Sequence, residues 1–147
     1  MGRKVLRDRG ETVYSFIEEM RGYAASAQKL EPPNNIIGDN LSTALDALTS
    51  ATKWLIKNGE KSAALAFAGA DAYLELLGKV AGGAMMARAA VAAQNSISNR
   101  TDNLAFYEAK LTTARFFALH ALPKTQVLAS EITEGSEVVL SLPEDAF

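Results

Sequence analysis

Cysteine is absent from the 147 residues, histidine and tryptophan each occur once, and there are only four prolines. The missing thiols exclude disulfide frameworks, cysteine-held zinc and thiol nucleophiles. An excess of one charge is missing too: 15 Lys and Arg face 17 Asp and Glu, for a net charge of −2. A chain so balanced lacks the broad basic surface that nucleic acid or an anionic membrane would require. The basic start, Met1 to Gly10, is not followed by the apolar run of about 7 to 15 residues that makes a signal peptide, so a cytoplasmic location is expected. Asp71, Glu75, Lys79 and Arg88 interrupt the most apolar stretch, residues 63–91. That stretch therefore reads as a buried helix rather than a membrane span.

What the chain does have is alanine, 26 in all and 13 of them between Ala63 and Ala93, together with apolar residues at helical spacing. Val13, Phe16, Ile17, Met20, Tyr23, Ala27 and Leu30 recur at three and four, predicting a first helix over 4–30 that Pro32 and Pro33 stop. Asn34, Asn35 and Gly38 follow as a loop. Asp39 then caps a second helix over 39–58, with Asn58 and Gly59 as its stop. The third helix, 61–95, is apolar almost all round and so is expected at the centre of a bundle. Gly78, Gly82 and Gly83 remove bulk where a neighbour can approach, or allow a kink, at about 1 kcal/mol each against alanine. Leu104, Tyr107, Leu111, Ala114, Ala118 and Leu122 predict a fourth helix over 103–122, and the adjacent stripe Phe106, Lys110, Thr113 and Phe117 implies that it is contacted on more than one side. A shorter helix over 124–134 leads into an acidic, extended tail at 135–147, with a weak strand-like alternation over 137–142. The expected architecture is all-α: one domain, an antiparallel up-and-down four-helix bundle with a short additional C-terminal helix and a tail.

Residues able to carry chemistry are few. His120 has no nucleophile or acid spelled out near it, and Glu18 and Glu19, adjacent on a helix, diverge. Carboxylate metal sites in bundles use a Glu-x-x-His spacing that is absent, Glu108 being followed by Leu111. Gly78-Lys79 lacks the earlier glycine and the following Ser or Thr of a phosphate loop. The remaining candidates are residues for interfaces or ion pairs. Trp54 lies off its helix's main stripe, packing over a neighbouring helix or touching another domain. Asp71 and Glu75 on the third helix, Arg88 further along it, and Lys110 and Arg115 on the fourth sit in apolar surroundings. Buried charges must pair, so a cross-helix ion-pair network is expected, with Arg88 or Arg115 reaching a partner domain as the alternative.

The run Ala70-Asp71-Ala72-Tyr73-Leu74-Glu75-Leu76-Leu77-Gly78-Lys79-Val80-Ala81-Gly82-Gly83, then Met86-Ala87-Arg88-Ala89-Ala90, resembles the C-terminal helical extension of a subgroup of bacterial acyl-CoA dehydrogenases, the methylmercaptopropionyl-CoA dehydrogenase-like group. The likeness continues from Phe106 to His120, at Leu122-Pro123, at Trp54-Leu55 and from Gly135 to Phe147. The resemblance implies a parent enzyme in which a glutamate removes an α-proton from an acyl-CoA while hydride passes to FAD. On that resemblance Gly2-Arg3-Lys4 follows the segment bearing the catalytic glutamate and cofactor contacts, so a chain starting at Met1 is expected to hold no FAD and to be inactive alone. None of its carboxylates matches the family's base. The implied partner is the dehydrogenase core of the parent enzyme or a second copy of the chain. A free-standing helical interaction protein derived from that domain is the other reading.

Overall fold

In a computed structural model of the chain, which describes residues 2–141 and side chains from Val5 onward, the first amphipathic segment is two helices. Helix α1 (Gly2–Arg7) is separated from α2 (Glu11–Ala27) by Arg9 and Gly10, both in the left-handed region at φ 51° and 78°. Gly10 suits that turn, and its amide donates to Asp8 Oδ1 at 3.0 Å while Thr12 Oγ1 donates to Asp8 Oδ2 at 2.6 Å. These bonds hold Asp8 below the usual carboxylate pKa, the one from Thr12 most of all. The expected single helix over 4–30 is thus corrected. The apolar periodicity continued across a turn that the Asp8-Arg9-Gly10 chemistry imposes.

Helix α3 (Ile36–Gly59) begins three residues before the expected start, with Asn35 at the cap position and Gly38 and Asp39 inside the first turn. Gly38 belongs there because a Cβ would run into the backbone of Ala24 and Gln28 at the end of α2. The expected third helix is also divided. Helix α4 (Ala63–Ala68) ends at Gly69, and α5 (Ala70–Ser98) continues unbroken through Gly78, Gly82 and Gly83. A Cβ on Gly69 would lie 2.9 Å from Ser136 Oγ, so the break makes room for the C-terminal segment. Helix α6 (Leu104–His120) follows, then α7 (Lys124–Ser130), a π-helical turn (Glu131–Gly135) and α8 (Ser136–Val139). The segment from 135 is therefore helical as far as Val139 rather than extended or strand-like, and residues 142–147 of the expected tail lie outside the described residues.

No strand occurs among the described residues, so the all-α class holds. Helix α2 runs antiparallel to α3: Arg21 meets Asp46 at 2.8 Å, while Gly10, earlier in the chain, lies against Ile56, further along α3. Helix α3 in turn runs antiparallel to α5, since Leu41 abuts Gly83 at one end and Thr52 bonds Tyr73 at the other. Gly82 and Gly83 allow the close approach expected of them, to Phe117 and to Leu122 and Leu41. The core lies along α3, where Ile37, Leu41, Leu45, Leu48 and Leu55 are no more than 1% exposed. Tyr73, Leu76 and Val80 from α5 and Ile17 and Met20 from α2 close over it. Helix α6 is peripheral, burying only Leu111, Ala114 and Ala118.

Candidate functional site

The small residues that α6 buries let it lie close to α5 and leave its larger side chains pointing outward. Phe116 is 62% exposed, Phe106 49% and Leu119 48%. Ala105, Ala109, Thr112 and Thr113 are exposed beside them, and the exposed charges Glu108 and Lys110 flank this face on either side. Two contacts order this face: the Phe116 and His120 rings lie 4.4 Å apart, and Lys110 Nζ sits 5.2 Å from the centre of the Phe106 ring. A cation placed so is attracted by the ring's electrons. Hydrophobic patches of this extent mark surfaces that another molecule covers.

A second apolar surface lies on α5. Leu74, Gly78, Ala81 and Met85 recur at four, three and four, with Leu74 and Met85 exposed. Beside them Thr12, Val13 and Phe16 of α2 and Leu77 and Ala81 of α5 line a groove of about 270 Å³. A smaller depression of about 160 Å³ is lined by Asn40, Thr43, Leu122, Pro123 and Gln126. Its polar groups are engaged with backbone, Asn40 Nδ2 donating to Ala118 O at 2.8 Å and Gln126 Nε2 to Thr43 O at 3.1 Å. Among the described residues no three His, Asp or Glu side chains cluster in a way that could hold a metal ion.

The charged residues singled out in the sequence are not a buried network. Asp71, Glu75, Arg88 and Lys110 are exposed, and Arg115 is half-buried. Glu75 pairs with Lys79 one turn along α5 at 3.0 Å, and among the described residues no ion pair involves Asp71, Arg88, Lys110 or Arg115. The expectation failed because it took the third helix to be surrounded and the fourth to be contacted on more than one side, whereas α5 and α6 each leave one face exposed. Charged side chains in an apolar helix need no partner when they lie on its exposed face. Trp54 is half-buried and packs against the core. Sequence reasoning did not single out the exposed Phe106 and Phe116 as surface residues; the signal was that α6 carries apolar residues on more than one side while burying only one.

Among the described residues the one polar side-chain pair sealed in the core is Thr52 with Tyr73, both 0% exposed. Thr52 Oγ1 donates to Leu48 O at 2.7 Å, which leaves the Tyr73 hydroxyl to donate to Thr52 at 2.8 Å. Burial pushes the Tyr73 phenol up to about 12. With its proton committed and solvent excluded, this pair serves packing and cannot exchange protons with a substrate.

Known proteins share this helical arrangement's sequence. Residues 16–143 match the family described as acetyl-CoA dehydrogenase C-terminal like. The 3-methylmercaptopropionyl-CoA dehydrogenase of Ruegeria pomeroyi is 29% identical over 141 residues, 96% of this chain. The match spans only 24% of that relative's length. A family match over most of the chain, on a fold with apolar outer faces and no reactive constellation among its described residues, places the chain in the acyl-CoA dehydrogenase C-terminal domain family.

Proposed function

We propose that the chain serves as the accessory C-terminal domain of an FAD-dependent, cytoplasmic acyl-CoA dehydrogenase of fatty acid metabolism, packing on the dehydrogenase core or supporting its oligomer. The observation that carries this reading is the coincidence of the family match with two exposed apolar surfaces, on α6 and on α5 with α2. Catalysis belongs to the core in this reading, and the chain contributes burial of apolar area. FAD presents a diphosphate and a broad planar ring, which require anion-binding donors and a deep slot. Among the described residues the α2–α5 groove has Thr12 as its only polar lining residue, and no cationic side chain lines the depression at Asn40. Neither lining fits a flavin, so FAD and the acyl-CoA are assigned to the core. No nucleic acid or membrane partner is invoked: α5 is long and apolar enough to cross a membrane, yet its Tyr73, Leu76, Val80 and Ala84 stripe is spent on the bundle core.

The test is to co-express the chain with the dehydrogenase core encoded in the same genome, and to purify by a tag on the chain. A yellow complex that reduces an electron acceptor with acyl-CoA is the expected result. The chain alone is expected to stay colourless with added FAD and to reduce no acceptor. Flavin retained by the chain alone, or a core that never co-purifies, would overturn the reading.

A further inference from the structure

The apolar face of α6 has a more specific order than general apolarity. Ala105, Ala109, Thr112, Phe116 and Leu119 alternate at four and three residues, the spacing of a helix seam that packs against another helix. Small side chains fill its first half and large ones its second, and Phe106, Thr113 and His120 run parallel on its edge. Seven residues is close to two full turns, so Glu108 and Arg115 lie on the same flank of the seam with opposite charges. Neither joins an ion pair among the described residues.

A helix seam can be met by a parallel or an antiparallel partner, and the charges discriminate. When two identical helices pair antiparallel about a two-fold axis, like flanks face each other and residue numbers run in opposite directions. With the axis level with Thr112 and Thr113, Phe116 of one copy falls over Ala109 of the other. Glu108 then lies within a turn of Arg115 of the second copy, and the symmetry makes that pair twice. A parallel, in-register pairing would instead set Phe116 against Phe116 and leave each Glu108 level with its own counterpart. Lys110, on the opposite flank, is held back over the Phe106 ring toward the N-terminus of α6, which draws the two lysines apart from the axis. Ring, small residue and charge are all complementary to themselves in one register.

We propose that α6 is a homodimer interface, pairing antiparallel with α6 of a second copy through Ala109, Thr112, Phe116 and Leu119 and closed by reciprocal Glu108–Arg115 ion pairs. This assignment rests on the assembly-supporting reading above and names its partner. It leaves the α2–α5 groove free for the dehydrogenase core.

Sedimentation equilibrium of the full 147-residue chain across a concentration series tests it. The expected mass is that of two chains. Phe116→Glu is expected to give a monomer with unchanged helical circular dichroism, since the ring is 62% exposed and outside the fold's core. Glu108→Arg sets arginine against arginine and weakens dimerisation about tenfold, as two exposed pairs change from attraction to repulsion. Combining it with Arg115→Glu restores the dimer. A wild-type monomer at every concentration overturns the proposal, as does a dimer that Phe116→Glu leaves intact or that the double exchange fails to rescue. Co-purification with the core separates the two readings. A monomeric chain that binds the core overturns α6 pairing alone, and a charge-rescued dimer that ignores the core overturns the accessory reading alone.

Discussion

Tyr73 hides its hydroxyl where no water reaches, and that fixes how the protein responds to alkali. The phenol is raised from 10.0 to about 12 because burial disfavours the phenolate. The folded state therefore holds this proton more tightly than the unfolded chain does. Stability from this group is fully present below pH 10 and is lost as the pH rises from 10 through about 12. The shift corresponds to roughly 2–3 kcal/mol. Denaturant unfolding across that window is expected to show a steeper loss for the wild type than for Tyr73→Phe, and parallel curves would remove Tyr73 as the cause. Thr52→Val leaves the same hydroxyl without an acceptor and is expected to cost about 1–3 kcal/mol at neutral pH, read from the denaturant midpoint. Sequence placed Thr52 on an apolar helical stripe and Tyr73 in an apolar run. It could not show that they meet, because that contact depends on the register between α3 and α5.

At the scale of the helices, glycine separates the positions that close contacts demand from those that only the surface tolerates. Gly38 faces the backbone of Ala24 and Gln28, which cannot rotate away as a side chain would. Gly38→Ala is expected to cost about 2–3 kcal/mol by overpacking the α2–α3 junction. Gly78 has nothing within 4 Å of a Cβ position and lies inside a long helix. Gly78→Ala is therefore expected to stabilise the isolated chain by about 0.5–1 kcal/mol, and a lowered melting temperature would contradict the open space seen there. These opposite signs also explain which boundaries were legible. The long periodic interiors of α2, α3, α5 and α6 follow from apolar spacing alone. The breaks at Gly10 and Gly69 and the early start at Ile36 do not, because each glycine sits where a distant segment crosses: Ile56, Ser136 and the end of α2.

For the molecule as a whole, apolar stripes divide into those that make the fold and those left over, and spacing cannot tell them apart. A stripe that covers a core and a stripe that covers a partner have the same period. The stripes on α5 and α6 were consequently assigned to the interior, and their charges to buried pairs, when one face of each helix points outward. The two kinds differ in what their loss does. Leu45 is fully buried on α3, and Leu45→Ala is expected to lose about 2–5 kcal/mol through lost burial and the cavity left behind. Leu74 on α5 is 53% exposed, and Leu74→Ser, a surface change, is expected to move stability by no more than about 0.5 kcal/mol. If α5 and its groove receive the dehydrogenase core, that same Leu74→Ser weakens co-purification with the core, whereas the core-destabilising Leu45→Ala acts on binding only as far as it unfolds the chain. Measuring melting temperature and core capture for both variants separates the cases: a Leu74→Ser chain that melts like wild type and is still captured in full would show that this face of α5 is not where the core docks.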